Sequence, residues 1–179
     1  MSYLYLGLDP GASGGLAALY PQTEGTVVAS KMPSTERGIW DWLRNCSSNL
    51  PIRAAIEQVG GYFSSDYGRG GMGASMFHFG QGYGFLRGCL TVLKTEGRLE
   101  WVDVTPGVWQ RSLGITPRGK SESKTDHKNR LKERAQHLFP ELKVTLATAD
   151  ALLLAIWCRN HYTKVSFSQE KMGAERIEL

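Results

Sequence analysis

The sequence predicts an α/β fold, and three observations carry that prediction. Three short apolar segments near the N-terminus are separated by turn residues, as in a strand meander. Two later apolar segments each follow a stretch with helical spacing. The C-terminal half then alternates helix-starting residues with amphipathic runs.

Tyr3–Leu8 reads as the first strand, ended by Asp9-Pro10-Gly11. Gly14–Tyr20 and Thr26–Met32 read as the next two, with Gly25 in the turn between them. Thr35–Cys46 is an amphipathic helix carrying Ile39, Trp40 and Leu43. Ile52–Ile56 is a short apolar strand that runs into Glu57. Residues Gly60–Gly84 are rich in Gly, Ser and aromatics, so the segment should begin as irregular loop. A helix takes over by Met76 and runs to Lys94, despite Gly80, Gly82, Gly84 and Gly88. Glycines weaken helices, so these point to close backbone packing or to a ligand.

Leu99–Val104 is the fifth strand. Thr105-Pro106 starts a short helix, with Thr as N-cap and Pro at the first position. Arg118–Ser123 reads as an exposed connection. Ser123 caps a helix over Lys124–Leu138, with Asp126 as its capping partner and Pro140 beyond its end. A last helix opens at Ala147 or Thr148 and ends near His161. Residues 1–162 form one domain, and 163–179 are expected to be a loose tail.

With 179 residues, 41% of them hydrophobic, the chain suits a single domain with its own core. No apolar run reaches the roughly 18–20 residues of a membrane span. The first residues, MSYLYLGLDPG, lack the basic segment and cleavage site of a secretory signal. Cys46, Cys89 and Cys158 are odd in number and widely spaced, which argues against disulfides and paired zinc ligands. A reducing cytoplasm is the expected location. The net charge is +4, and Arg118–Arg134 alone holds seven Lys/Arg against three Asp/Glu. That concentration suits a phosphate backbone, although a solvated helix face has the same composition.

Three acids stand beside apolar elements: Asp9 after the first strand, Glu57 after the fourth, Asp150 at the start of the last helix. Each has an ordinary explanation, as turn, strand end and helix N-terminal residue. Together they suggest a crevice at the strand ends of a mixed sheet. Carboxylates next to apolar runs are costly unless paired or bound to a cation. Converging carboxylates without a His/Cys cluster favour Mg²⁺, with Mn²⁺ as substitute. Two such ions serve phosphodiester hydrolysis.

The order Gly7-Leu8-Asp9-Pro10-Gly11, Ile56-Glu57-Gln58-Val59 and Ala149-Asp150-Ala151-Leu152 resembles the RuvC family of Holliday junction resolvases. The resemblance is to the RuvC-like resolvases carried by bacteriophages in particular. It extends to Phe77-His78-Phe79-Gly80-Gln81-Gly82-Tyr83-Gly84, to Val104-Thr105-Pro106-Gly107-Val108-Trp109, and to the Lys-rich stretch before Leu138-Phe139-Pro140. It covers about residues 4–160. It implies an RNase H-like fold with a five-stranded mixed sheet flanked by helices. It also implies a homodimer, a structure-selective endonuclease of recombination and repair, and a bacterial or phage-infected host. By the same match Asp9, Glu57 and Asp150 are the catalytic metal ligands, with two ions per site. One departure is Ala147, where the family has an Asp or His ligand. Thr148, Thr145 or a water is the expected replacement contact. The other is Gly60-Gly61, where an aromatic residue often follows the second acid.

Contacts to branched DNA are expected from two places. Tyr62 and Phe63 are placed to stack on unpaired bases, with Arg69 on phosphate. Arg118, Lys120, Lys124 and Lys128 are placed on the backbone, Lys124 also steadying charge on the scissile phosphate. Lys124 and Lys128 share a helix face, with Leu131, Ala135 and Leu138 expected on the opposite, buried one. His127 is expected to be exposed and without a role. The helix Met76–Lys94, through Met76, Phe77, Phe79, Phe85, Leu86 and Leu90, is the expected dimer interface. The alternatives are an RNase H-type nuclease on RNA–DNA hybrids or RNA, a catalytically inactive junction-binding protein, and a sugar-kinase or actin-like ATPase. The last imitates the Asp9–Gly14 turn but needs two such domains.

Overall fold

In the computed structural model, residues 2–20, 26–46, 50–58 and 72–174 are described. The elements in chain order are β1 (Leu4–Leu8), β2 (Gly15–Leu19), β3 (Val27–Lys31), α1 (Glu36–Cys46), β4 (Ile52–Glu57), α2 (Met72–Thr95), β5 (Leu99–Val104), α3 (Pro106–Ser112), α4 (Lys124–Leu138) and α5 (Ala149–Ala174). The strands form one mixed sheet in the order β3-β2-β1-β4-β5. β1–β2 and β2–β3 pair antiparallel, and β1–β4 and β4–β5 pair parallel. This is the five-stranded mixed sheet flanked by helices that the sequence led us to expect.

Each face of the sheet carries its own core. Leu4, Leu6, Leu8, Ile52, Ala54 and Ile56 point to the side covered by α1 and α2, where Leu43, Leu86, Leu90 and Leu93 meet them. Tyr5, Ala17, Ala55 and Val104 point to the other side, against Trp109, Leu131 and the apolar run of α5. β1 is covered on both faces, so all five of its residues are buried. That accounts for its unbroken apolar sequence.

Gly7 fixes how closely α5 lies on this strand. A Cβ at Gly7 would collide with the Ala151 carbonyl oxygen and the Ala155 amide nitrogen. Only glycine on the strand, opposite alanines on the helix, lets the two backbones touch. This contact sets the depth at which the N-terminus of α5, with Asp150, meets the end of β1.

Several expectations need correction. α5 continues to Ala174 and does not end near His161. Residues 162–172 contain neither glycine nor proline, so loss of apolar pattern gave no reason to stop a helix. α2 begins at Met72, four residues earlier than expected. Leu138 is 37% exposed, outside the buried stripe of Leu131 and Ala135. Lys124 precedes Leu131 by seven residues and Lys128 precedes it by three, so both lie on the side of Leu131 and Ala135 on α4, not the opposite one. His127 is buried. Its Nδ1 lies 2.9 Å from an Arg130 guanidinium nitrogen and 3.3 Å from Glu122 Oε2. Arg130 also bonds Glu122 and the Thr116 carbonyl, so this cluster ties the 116–123 connection to α4. Gly80, Gly84 and Gly88 meet nothing within 4 Å of a would-be Cβ. Close packing among the described residues therefore does not explain them.

Candidate active site

Asp9 leaves β1 at the turn into β2. Its amide nitrogen donates to the Gly15 carbonyl at 2.9 Å, and the Gly14 amide donates to the Gly11 carbonyl at 2.8 Å. The carboxylate accepts the Gly11 amide at 3.3 Å. This is the local bond by which Asp organises a turn. A Cβ at Gly14 would stand 2.6 Å from Asp9 Cγ. Glycine at 14 is thus what leaves the carboxylate its position.

Glu57 ends β4, next to β1 in the sheet. Its side chain is buried, and Trp109 Nε1 donates to Glu57 Oε2 at 2.8 Å. Trp109 is wholly buried on α3, a helix started by Thr105-Pro106 without a side-chain cap bond from Thr105. An indole N–H only donates, so this bond leaves Glu57 an acceptor and holds its orientation. Trp109 stood in the quoted Val104–Trp109 segment, but nothing in the sequence joined it to Glu57.

Asp150 lies in the first turn of α5, which the Gly7 contact presses onto β1. Just before it, Thr145 and Thr148 cap the helix reciprocally. The Thr145 amide donates to Thr148 Oγ1 at 3.0 Å, and the Thr148 amide to Thr145 Oγ1 at 3.3 Å. The two hydroxyls expected to replace the missing side chain at Ala147 are turned to each other. The Ala147 carbonyl packs against Gly15.

The three acids act on one another. Burial, then the Asp9 charge, pushes Glu57 up to about 8, with Asp150 adding to the rise and the Trp109 bond opposing it. Burial and the Asp9 charge push Asp150 up to about 7. Burial also raises Asp9. Among the described residues, Lys128 opposes all three shifts. It is half-buried, whereas Lys124, on the same side of α4, is exposed. Arg118 and Lys120 are exposed in the preceding connection, and Arg118 donates to the Glu122 carbonyl. Tyr62, Phe63 and Arg69 lie outside the described residues.

The donor set is all carboxylate oxygen, which suits a hard divalent cation. Yet among the described residues no group of three or more His, Cys, Asp or Glu side chains is gathered to hold an ion. The acids are near enough to repel each other without forming a closed cage. Such an open set fits Mg²⁺, which keeps waters and shares its shell with substrate phosphate.

Two solved structures have a similar fold. The Thermus thermophilus RuvC structure matches with a TM-score of 0.51 and 14% identity, covering 93% of this chain and 97% of that chain. T. thermophilus RuvC in complex with Holliday junction substrate matches with a TM-score of 0.53 and 14% identity, covering 92% and 96%. This chain has the RuvC fold. Neither a protein-family model nor a curated protein sequence matches it. Likeness at 14% identity carries the fold; the chemistry has to come from the residues placed on it. On this RuvC fold the strand ends of β1 and β4 and the start of α5 meet where the three acids stand. No helix among the described residues is long and apolar enough to cross a membrane.

Proposed function

We propose that the chain is a Mg²⁺-dependent endonuclease that resolves Holliday junctions and other branched DNA by phosphodiester hydrolysis. The observation that carries this reading is the crevice of Asp9, Glu57 and Asp150, mutually repelling, with Lys128 acting on all three. That one structural neighbour is a RuvC in complex with Holliday junction substrate supports the choice of DNA substrate. Asp9, Glu57 and Asp150 would hold the ions, two per site. Bound there, they supply the positive charge that hydrolysis needs on the attacking and leaving oxygens. Trp109 keeps Glu57 aimed. The ammonium of Lys128 meets the negative charge that grows on the scissile phosphate. Arg118, Lys120 and Lys124 hold the backbone on either side, and Tyr62, Phe63 and Arg69 reach the branch point.

The test is a panel of a synthetic four-way junction, a linear duplex and an RNA–DNA hybrid, each with Mg²⁺ or Mn²⁺. Symmetric nicks in the junction alone are expected. Cutting of the hybrid in preference would make the chain an RNase H-type nuclease. Junction binding without cutting in Mn²⁺ would make Ala147 the mark of an inactive binding protein.

The two lysines are expected to separate in function. Lys128→Met should lower the cleavage rate about a hundredfold, the scale of losing one charge-stabilising group. Lys124→Ala should leave single-turnover cleavage at saturating protein near normal and make the salt dependence of binding shallower by about one phosphate contact. Equal cleavage by Lys128→Met and wild type would remove Lys128 from the chemistry.

Two symmetric cuts call for a two-fold dimer, and α2 offers the surface. Leu86 and Leu90 are core, but Phe77 is 64% and Val92 48% exposed. Gly80, Gly84 and Gly88 open a smooth track between them. Each glycine costs the helix about 1 kcal/mol, an expense that a close helix–helix crossing offsets. Gly84 lies midway, so an antiparallel crossing there sets Phe77 of one protomer against the Val92 region of the other. Phe77→Glu should shift sedimentation from dimer to monomer at micromolar concentration. A wild-type protein that sediments only as monomer with junction present would exclude the dimer.

A further inference from the structure

At the turn that follows Asp9 lies a recess of about 520 Å³ that the catalytic reading leaves unused. It begins at Pro10 and Ala12, within the turn that carries Asp9. Met32, Pro33 and Ile39 line it with apolar surface, Met32 and Ile39 being buried core residues. Lys31, Glu36 and His78 stand exposed around it. His78 belongs to the Phe77–Gly84 segment that was conspicuous in the sequence and has no part in the carboxylate crevice. Its Nδ1 lies 3.3 Å from Gln81 Oε1, which steadies the ring.

Three features define the ligand. The volume is that of a small-molecule site, enough for one nucleotide and too little for a duplex. The walls are apolar where a base would lie flat, and polar groups that can donate or accept ring the opening. The recess adjoins Asp9, so a strand whose phosphate sits at the acids has its neighbouring nucleotide at this opening. Its occupant must be unstacked, because a paired base cannot leave the helix to enter a recess. A branch point supplies such bases at low cost. We propose that this recess is a nucleotide subsite that takes one unpaired base next to the scissile phosphate, with Lys31 and His78 on the adjoining phosphate. The inference rests on the nuclease reading for the identity of the strand.

Gly82 makes the recess testable. It lies on α2 at the recess, and a Cβ there would meet only the Pro10 carbonyl, at an ordinary 3.6 Å. Gly82→Leu therefore fills the space with no backbone clash, and it replaces a helix-weakening residue by a good helix former. The experiment places single 2-aminopurine reporters on either side of the cut in a four-way junction, with Ca²⁺ in place of Mg²⁺. Wild type should raise the fluorescence at one position, and Gly82→Leu should return it to that of free junction. In Mg²⁺, Gly82→Leu and Lys31→Ala/His78→Ala should cut about tenfold more slowly or worse, the scale of losing one held base. A reporter response lost in Gly82→Leu supports the subsite even if wild type cuts nothing, in which case only the nuclease reading falls. The absence of any reporter response in wild type, or a response and cutting rate in Gly82→Leu equal to wild type, would overturn it.

Discussion

Asp9→Asn, Glu57→Gln and Asp150→Asn are each expected to abolish junction cleavage, by at least about a hundredfold, while junction binding in Ca²⁺ is kept. The magnitude follows from what each substitution removes. Every acid is a charged oxygen donor in an open set with no surplus member, because residue 147 is alanine and Thr145 and Thr148 bond each other. Losing one charge-stabilising contact in a water-poor site costs roughly 10²–10³ in rate. Losing an ion as well costs more. Binding is spared for a separate reason. The backbone contacts proposed for Arg118, Lys120 and Lys124 do not pass through the acids. The measurements are single-turnover cleavage in Mg²⁺ and in Mn²⁺, beside electrophoretic mobility shift in Ca²⁺. A variant that cuts within a few fold of wild type is not a ligand. A variant that has lost binding has been unfolded, and its circular dichroism will say so.

The strand pattern was legible because β1, β2 and β4 are buried on both faces or nearly so, which leaves unbroken apolar runs ended by Asp9, Gly14 and Glu57. The acids were legible for the same reason: a carboxylate at the end of such a run has no ordinary place to go. Contacts formed across the chain were not. Trp109 and Glu57 are 52 residues apart in sequence, and an indole in a short helix gives no sign of its partner. Lys128 was readable as a lysine on α4 but not as the one that faces the acids. Its side of the helix was misassigned, although its spacing of three and seven residues from Leu131 and Ala135 puts it on theirs. His127 was misjudged because Glu122 and Arg130, which bury it, look like ordinary surface charges in sequence. The glycines of α2 were read as signs of close packing or of a ligand, yet among the described residues nothing meets a would-be Cβ at Gly80, Gly84 or Gly88.

Without divalent cations, the protein is expected to lose stability as the pH rises through the range in which its acids ionise. Glu57 is raised from 4.5 to about 8, by burial first and then by the Asp9 charge. Asp150 is raised from 3.8 to about 7 by the same causes in the same order. A carboxyl whose pKa is raised on folding contributes stability that is complete below its unfolded value, and that stability is lost as the pH climbs through the folded value. The window therefore opens near pH 4 and closes near pH 8. One unit is about 1.4 kcal/mol. The acids titrate as a coupled set, so the crevice as a whole is expected to cost about 3–5 kcal/mol across that window, less than separate sites would sum to. Glu57→Gln removes the most strongly raised member. At pH 8 in EDTA it should melt higher than wild type by about 5–10 °C, given roughly 2–4 °C per kcal/mol at this chain length, and the gap should close by pH 5. Taking the difference between variant and wild type cancels other titrating groups, such as His127, which burial lowers. Mg²⁺ should act the same way, raising the wild-type melting temperature more at pH 8 than at pH 5.5, because it binds the ionised acids of the folded state. It should raise that of Glu57→Gln less. A Glu57→Gln protein less stable than wild type at pH 8 in EDTA would mean that the Glu57 carboxylate itself holds the fold together. Its burial would then be structural, and the case for it as a cation ligand would fail.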